Sequence, residues 1–200
     1  MKIEATPVTK LQLTDLGQYK LDPITVYVQD LGPAMPGDLT NRGSILIECW
    51  GKSWSAKWNF GAGNVARFFQ VADDDYLVKC LEPAIEEQRF TGSALVKHAR
   101  NKIIQRRRGH ASGPLTKAAA RTLYQEVGVF EAVNSVEQAY LVGNGLLLDE
   151  VFGPSAWSEV AQGMEVNGDY RYLTRIVRAV RDGLALAEAP QTKFLEPHYL

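Results

Sequence analysis

The chain has 200 residues, 46% of them hydrophobic, and a formal net charge of −1, which is material for one domain, or two small ones sharing a core, that buries an interior without staples. No apolar run approaches the ~20 residues of a membrane span, and Met1-Lys2-Ile3-Glu4-Ala5 carries no apolar signal region. Cys49 and Cys80, the only cysteines, each lie in an apolar pattern, so the composition points to a reducing cytoplasm and against an exported disulfide scaffold.

Ile24-Thr-Val-Tyr-Val-Gln-Asp30 alternates apolar and polar-tolerant positions and is rich in β-branched residues, which predicts a strand. Residues 31–43 hold Gly32, Pro33, Pro36 and Gly37 and read as a loop. A hairpin follows, Ser44-Ile-Leu-Ile-Glu-Cys-Trp50 and Ser53-Trp-Ser-Ala-Lys-Trp-Asn-Phe60, with Gly51-Lys52 as its two-residue turn. That turn sets Cys49 opposite Trp54, Ile47 opposite Ala56 and Ile45 opposite Trp58. One face then reads Ile45, Ile47, Cys49, Trp54, Ala56, Trp58, and the other reads Leu46, Glu48, Trp50, Ser53, Ser55, Lys57. Trp54 and Trp58 are expected in the core. Trp50 is left on the outer face, where an aromatic contact to a base is an alternative to partial burial.

Gly61-Ala62-Gly63-Asn64 leads into a short helix over 65–71, with Val65, Phe68 and Phe69 on its buried side. The lysine and hydroxyl residue of a phosphate loop are missing, so the glycines read as a plain turn. Asp73-Asp74-Asp75 opens the next helix, where capping and the helix dipole account for three carboxylates better than a metal does.

From residue 91 the reading is helical and the charge changes sign. Residues 91–125 carry eight cations (Lys97, Arg100, Lys102, Arg106, Arg107, Arg108, Lys117 and Arg121) and no Asp or Glu, whereas the segments before and after are both net acidic. A helix from 94 to about 105 places Leu95, Val96, Ala99 and Ile103 on one arc, with Lys97 and Arg100 beside it; Gly109 to Pro114 stops it. A helix over 115–127 shows Lys117 and Arg121 on one exposed side, and Gly128 ends it. Residues 129–142 are apolar and acidic, closed by Gly143-Asn144-Gly145, and 146–152 is a short apolar helix. The last strong element runs from about Asp169 to Glu188. It carries Tyr172, Leu173, Ile176, Val177, Val180 and Leu184 as an apolar stripe, with Arg171, Arg175, Arg178 and Arg181 opposite. Residues 190–200 read as an extended tail.

Strands cluster early and helices late, without βαβ alternation. The expected fold is α+β: a small antiparallel sheet of three or four strands from residues 1–60, covered by helices. On this reading residues 1–90 form a sheet-containing part and residues 91–200 a helical part, sharing one core.

Leu21-Asp22-Pro23-Ile24-Thr-Val-Tyr-Val-Gln-Asp30, Gly32-Pro33, Ile47-Glu-Cys-Trp-Gly-Lys-Ser-Trp-Ser-Ala-Lys-Trp58, Phe68-Phe69 and Asp75-Tyr76-Leu77 together resemble small early-region accessory proteins of temperate bacteriophages and prophages. The resemblance covers about residues 20–82, and the 31–43 connection is longer than that family's usual turn. It brings no assigned activity, so no residue role is carried over. It implies an accessory protein acting in the host cytoplasm on nucleic acid, replication or host defences.

The basic block has three readings. It is a solvated helix face, a nucleic-acid contact in which Lys and Arg neutralise phosphates, or a dock for an acidic protein surface. Asn101 and Gln105 are polar residues within it that could reach bases. His98, His110 and His198 form no ligand pair and neighbour no evident nucleophile, and no catalytic motif is present. The functional expectation is a non-enzymatic accessory protein that needs no cofactor or metal, binding through residues 97–121, with nucleic acid preferred. The alternatives are an inhibitor of a host protein, in an anti-defence or anti-CRISPR-type role, and then an uncharacterised enzyme. Replacing Arg106, Arg107 and Arg108 together by alanine is expected at this level to leave folding intact.

Overall fold

The computed structural model describes residues 3, 5–35, 37–61, 63–111, 113–142 and 145–188. The expected 190–200 tail with His198, and the Gly143-Asn144 part of the glycine turn, lie outside the described residues. In chain order the elements are strands β1 (Thr9–Leu13), β2 (Ile24–Pro33), β3 (Asn41–Cys49) and β4 (Lys52–Phe60), then helices α1 (Val65–Val71) and α2 (Asp74–Leu81). Strand β5 (Gln88–Phe90), α3 (Gly92–Arg107), α4 (Lys117–Glu126), a 3-10 turn (Val127–Ala132), α5 (Val136–Val142), α6 (Leu146–Phe152) and α7 (Ala156–Val160) follow. Strand β6 (Met164–Val166) and α8 (Gly168–Glu188) complete the set. The class is α+β, with a four-stranded antiparallel sheet in the order β1-β2-β3-β4.

Among the described residues the contacts divide the chain at Glu86 and again at Asp169, not once near residue 90: those before Glu86 form one unit with Asp169–Glu188, and those from Glu86 to Gly168 form the other. The apolar stripe of α8 causes this return. Leu173, Ile176, Val177, Val180 and Leu184 are buried in the same cluster as Ile24, Val26, Ile45, Ile47, Trp54 and Trp58 of the sheet. The second unit has its own cluster, built from Leu95, Ile103, Leu123, Phe130, Leu148 and Val160.

In the sheet unit, period-two alternation produces the buried face the sequence predicts: Ile45, Ile47, Cys49, Trp54 and Trp58 are buried, and Glu48, Trp50, Ser53, Ser55 and Lys57 are exposed. The turn is Trp50-Gly51, however, and not Gly51-Lys52. Cys49 pairs with Lys52, Ile47 with Trp54, Ile45 with Ala56 and Gly43 with Trp58. Relative to the expected pairing β4 slides by two residues, which keeps every side chain on its face. The slide pairs Asn41 with Phe60 at the far end, so the whole of β3 finds ladder partners along β4.

Both turn residues have positive φ, 50° at Trp50 and 70° at Gly51, the requirement of a type I′ hairpin. Tryptophan there carries a left-handed penalty of roughly 1–2 kcal/mol, and its side chain, 75% exposed, recovers little by burial. Trp50→Asn is therefore expected to stabilise the protein by about 1 kcal/mol, because asparagine tolerates αL. A urea unfolding midpoint that stays put or falls would mean that the indole makes a contribution in this position that offsets the strain.

Residues 31–43 are a loop only in their middle. A bulge between Asp30 and Gly32, with Gly32 at φ 62°, restores pairing beyond it, so that Gly32 faces Arg42 and Pro33 faces Asn41. Asp30 then accepts the Val65 N–H at 2.7 Å, and the Asn64 side chain accepts the Arg67 N–H at 2.8 Å, so two side chains cap α1. The three aspartates of α2 are all accounted for within the fold. Asp73 accepts from the Asp75 N–H at 2.9 Å, Asp75 accepts the Tyr170 hydroxyl at 2.8 Å, and Asp74 accepts Arg178 and Arg181. Partial burial would raise the Asp74 pKa, but the two guanidiniums outweigh it and hold the carboxyl below the usual range.

Of the α8 arginines, Arg171 faces solvent as the sequence predicts, Arg178 is exposed but reaches Asp74, and Arg175 and Arg181 are half-buried and reach back over the apolar stripe. Arg175 donates to the Tyr19 carbonyl at 3.2 Å, and Arg181 donates to the carbonyls of Phe69 (3.3 Å) and Ala72 (2.6 Å) at the end of α1. Long side chains at the edge of a buried face can do this because their stems lie on apolar neighbours.

In the helical unit, Leu95, Val96, Ala99 and Ile103 form the buried face of α3, as the periodicity predicts. Gly92, the first residue of α3, donates to the Val133 carbonyl at 2.8 Å. The two-stranded sheet β5-β6, pairing Gln88 with Val166 and Phe90 with Met164, was not expected from the sequence. Its strands of three residues are too short to show a period.

Candidate functional site

Two capped helices carry the basic block. Thr91 accepts the Ala94 N–H at 3.2 Å to start α3, and Thr116 accepts the Ala119 N–H at 3.2 Å to start α4. The structure sorts the eight cations into two groups. Three of them hold the fold together. The Arg100 guanidinium carbon lies 4.8 Å from the centre of the Tyr124 ring, and its Nε donates to the Tyr124 carbonyl at 3.4 Å. Lys102 Nζ meets Glu159 Oε1 at 2.8 Å. Arg106 donates from Nε to the Gly113 carbonyl (2.8 Å) and from Nη1 to the carbonyls of Val151 (2.9 Å) and Glu150, in the last turn of α6.

The other five, Lys97, Arg107, Arg108, Lys117 and Arg121, are exposed and have no side-chain hydrogen bond or ion pair among the described residues. Four of these converge. Arg107 and Arg108 from the end of α3, and Lys117 and Arg121 from α4, line a groove of about 510 Å3 whose apolar floor is Ile103, Ile104, Ala120 and Tyr124, with Gln125 at its edge. No described acidic residue lines it. Its volume falls in the ~300–1,000 Å3 range typical of ligand clefts. Lys97 does not join it; it lines a separate cleft with His98, Asn101 and Glu165. Trp50 belongs to the sheet unit, in the exposed hairpin turn.

A family model described as a phage family matches residues 1–185. The chain belongs to that phage family. The match takes in both units, where the resemblance read from the sequence stops near residue 82. Comparison with curated proteins and with solved structures gives no match.

In this phage-family protein two features of the helical unit, one in the groove and one outside it, had no reading from sequence. Tyr124 stands three residues after Arg121 and seven after Lys117, so the helical period itself places it on the cationic side of α4, and that signal was available. The second feature is a cluster about Glu159, which His98 Nε2 meets at 2.9 Å and Lys102 at 2.8 Å, while the His98 ring stacks on Phe152 at 5.4 Å between centres. The Lys102 ammonium, supported by His98 against partial burial, holds the Glu159 carboxyl below the usual carboxylate range. Glu159 lies 61 residues from His98, a separation that no spacing rule spans. Among the described residues no group of three or more His, Cys, Asp or Glu is arranged to hold a metal ion. No described helix is long and apolar enough to cross a membrane.

Proposed function

We propose that this phage-family protein is a non-enzymatic accessory factor of the host cytoplasm that binds nucleic acid through the groove between α3 and α4. The observation that supports this reading most is the set of four cations around an apolar floor that have no side-chain partner, and no anion beside them in the groove, among the described residues. Four like charges held together repel one another, and natural surfaces usually intersperse the two signs. A polyanion with regularly repeated charge relieves that repulsion, and counterion release adds to the affinity. Three of the four cations are arginines, whose planar fork matches phosphate oxygens in pairs. An early-acting role in a temperate phage is consistent with such a factor.

The test is a salt titration with wild type and a variant carrying Arg107→Ala, Arg108→Ala, Lys117→Ala and Arg121→Ala. Each lost contact should flatten the slope of log affinity against log salt by ~0.9 on duplex DNA and ~0.7 on a single strand. At moderate salt the variant should bind on the order of a hundredfold more weakly. Absence of wild-type binding to either form at low salt removes this reading.

A host-protein inhibitor is the second reading. It draws on a different observation, the exposed Leu141, Leu146 and Trp157 of α5, α6 and α7, because exposed apolar side chains are what a protein partner covers. Nuclease-resistant recovery of one stoichiometric partner from host lysate would favour it.

A further inference from the structure

We propose that the groove takes single-stranded nucleic acid, with one base stacked on Tyr124 and the neighbouring phosphates held by Arg107, Arg108, Lys117 and Arg121. This rests on the nucleic-acid reading above and adds what the groove discriminates. The floor carries the argument. A site for phosphates alone needs cations and water, yet Tyr124 is 40% and Ile104 37% exposed in the middle of the cations. In a duplex the base faces are stacked against one another and unavailable to an apolar floor. An unpaired strand offers them freely, and stacking on an aromatic ring is the usual way proteins take them up.

The ring is also held ready. Arg100 lies over Tyr124 and is not among the residues lining the groove, so the guanidinium backs the ring while the tyrosine faces the cavity. Its bond to the Tyr124 carbonyl ties the same residue by its backbone. A side chain fixed in this way has less rotamer freedom to lose when a base arrives. Arg121 and Lys117 stand one and two turns back, respectively, from Tyr124 and Gln125 on α4, and Arg107 and Arg108 face them from α3, so a strand whose base lies on the floor has cations on both flanks.

The experiment compares an oligothymidylate, an abasic strand of the same length and a blunt duplex, each titrated against wild type, Tyr124→Leu and Tyr124→Phe. The abasic strand keeps every phosphate and loses every base. Wild type is expected to bind the oligothymidylate about 5- to 150-fold more tightly than the abasic strand, the range that one stacked base contributes. Tyr124→Leu should abolish that difference without changing the salt slope, and Tyr124→Phe should keep it. Equal wild-type affinity for abasic and base-bearing strands overturns the proposal, as does tighter binding of the duplex, or a Tyr124→Leu protein that still distinguishes the two strands. Those results leave the broader reading standing if the fourfold alanine variant still flattens the salt slope. Loss of binding to all three probes removes both. An acidic peptide that displaces none of the bound oligothymidylate supports the proposal, and one that binds the groove more tightly than the oligothymidylate overturns it.

Discussion

Gly92→Ala is expected to destabilise the helical unit by about 3 kcal/mol, the upper end of the range for overpacking. A β-carbon at position 92 would stand 2.0 Å from the Phe130 carbonyl oxygen and 2.6 Å from that of Glu131. Both are backbone atoms of the 3-10 turn, and neither can swing aside as a side-chain tip does. The only escape is to move the start of α3 away from that turn. The move would strain the hydrogen bond from Gly92 to the Val133 carbonyl and unpack Leu95 and Val96 from Phe130. For a unit of this size the melting temperature should fall by roughly 12–24 °C. Hydrogen exchange should locate the effect: amides of α3 and the 3-10 turn lose protection, and those of β2 and β3 keep it. Gly168→Ala is the control, since nothing lies within 4 Å of its added carbon. Equal melting of the two variants would show that the 92–130 approach relaxes freely.

Arg106→Ala is expected to cost about 2–3 kcal/mol, whereas Arg107→Ala with Arg108→Ala should cost about 1 kcal/mol in total. The three residues are adjacent and chemically identical, so only their surroundings separate them. Arg106 donates to the carbonyls of Gly113, Glu150 and Val151, two of which are in the last turn of α6, where carbonyls lack helical partners. Hydrogen bonds from a charged donor contribute about 1.5–3 kcal/mol each when well formed, and partial exposure here reduces the sum. Arg107 and Arg108 have only the attraction of exposed cations to a helix C-terminus, about 0.3–1 kcal/mol apiece. Arg106→Lys should restore little, because an ammonium cannot reproduce the planar fork. Urea midpoints of the three proteins decide the matter; an Arg106→Ala protein as stable as wild type would show that water replaces the guanidinium without loss. The triple alanine variant, expected from sequence to fold normally, therefore mixes a folding defect with a binding defect. Arg107 and Arg108 are the positions at which binding can be tested cleanly.

Much of the secondary structure was legible because it follows from local periodicity and capping. The face assignment of β3 and β4, the helices at 65–71 and 146–152, the buried arc of α3 and the stripe of α8 each depend on residues within one or two turns of one another. The register was not legible to the same degree. A two-residue slide leaves the face pattern unchanged, so alternation could not choose between Gly51-Lys52 and Trp50-Gly51, and full pairing of β3 with β4 made the choice.

The sequence by itself determined that a dense, unmixed basic block exists, and that it lies on two helices whose other faces are buried. Only the tertiary structure decided which cations remain available for a ligand. Lys102 is paired through Glu159, Arg106 through carbonyls of α6, and Arg100 through Tyr124, at separations of 57, 45 and 24 residues. A charge is visible in the sequence wherever it stands, but its partner is set by which surfaces pack together. Whether a cation is structural or free to meet a ligand is therefore a property of the folded chain.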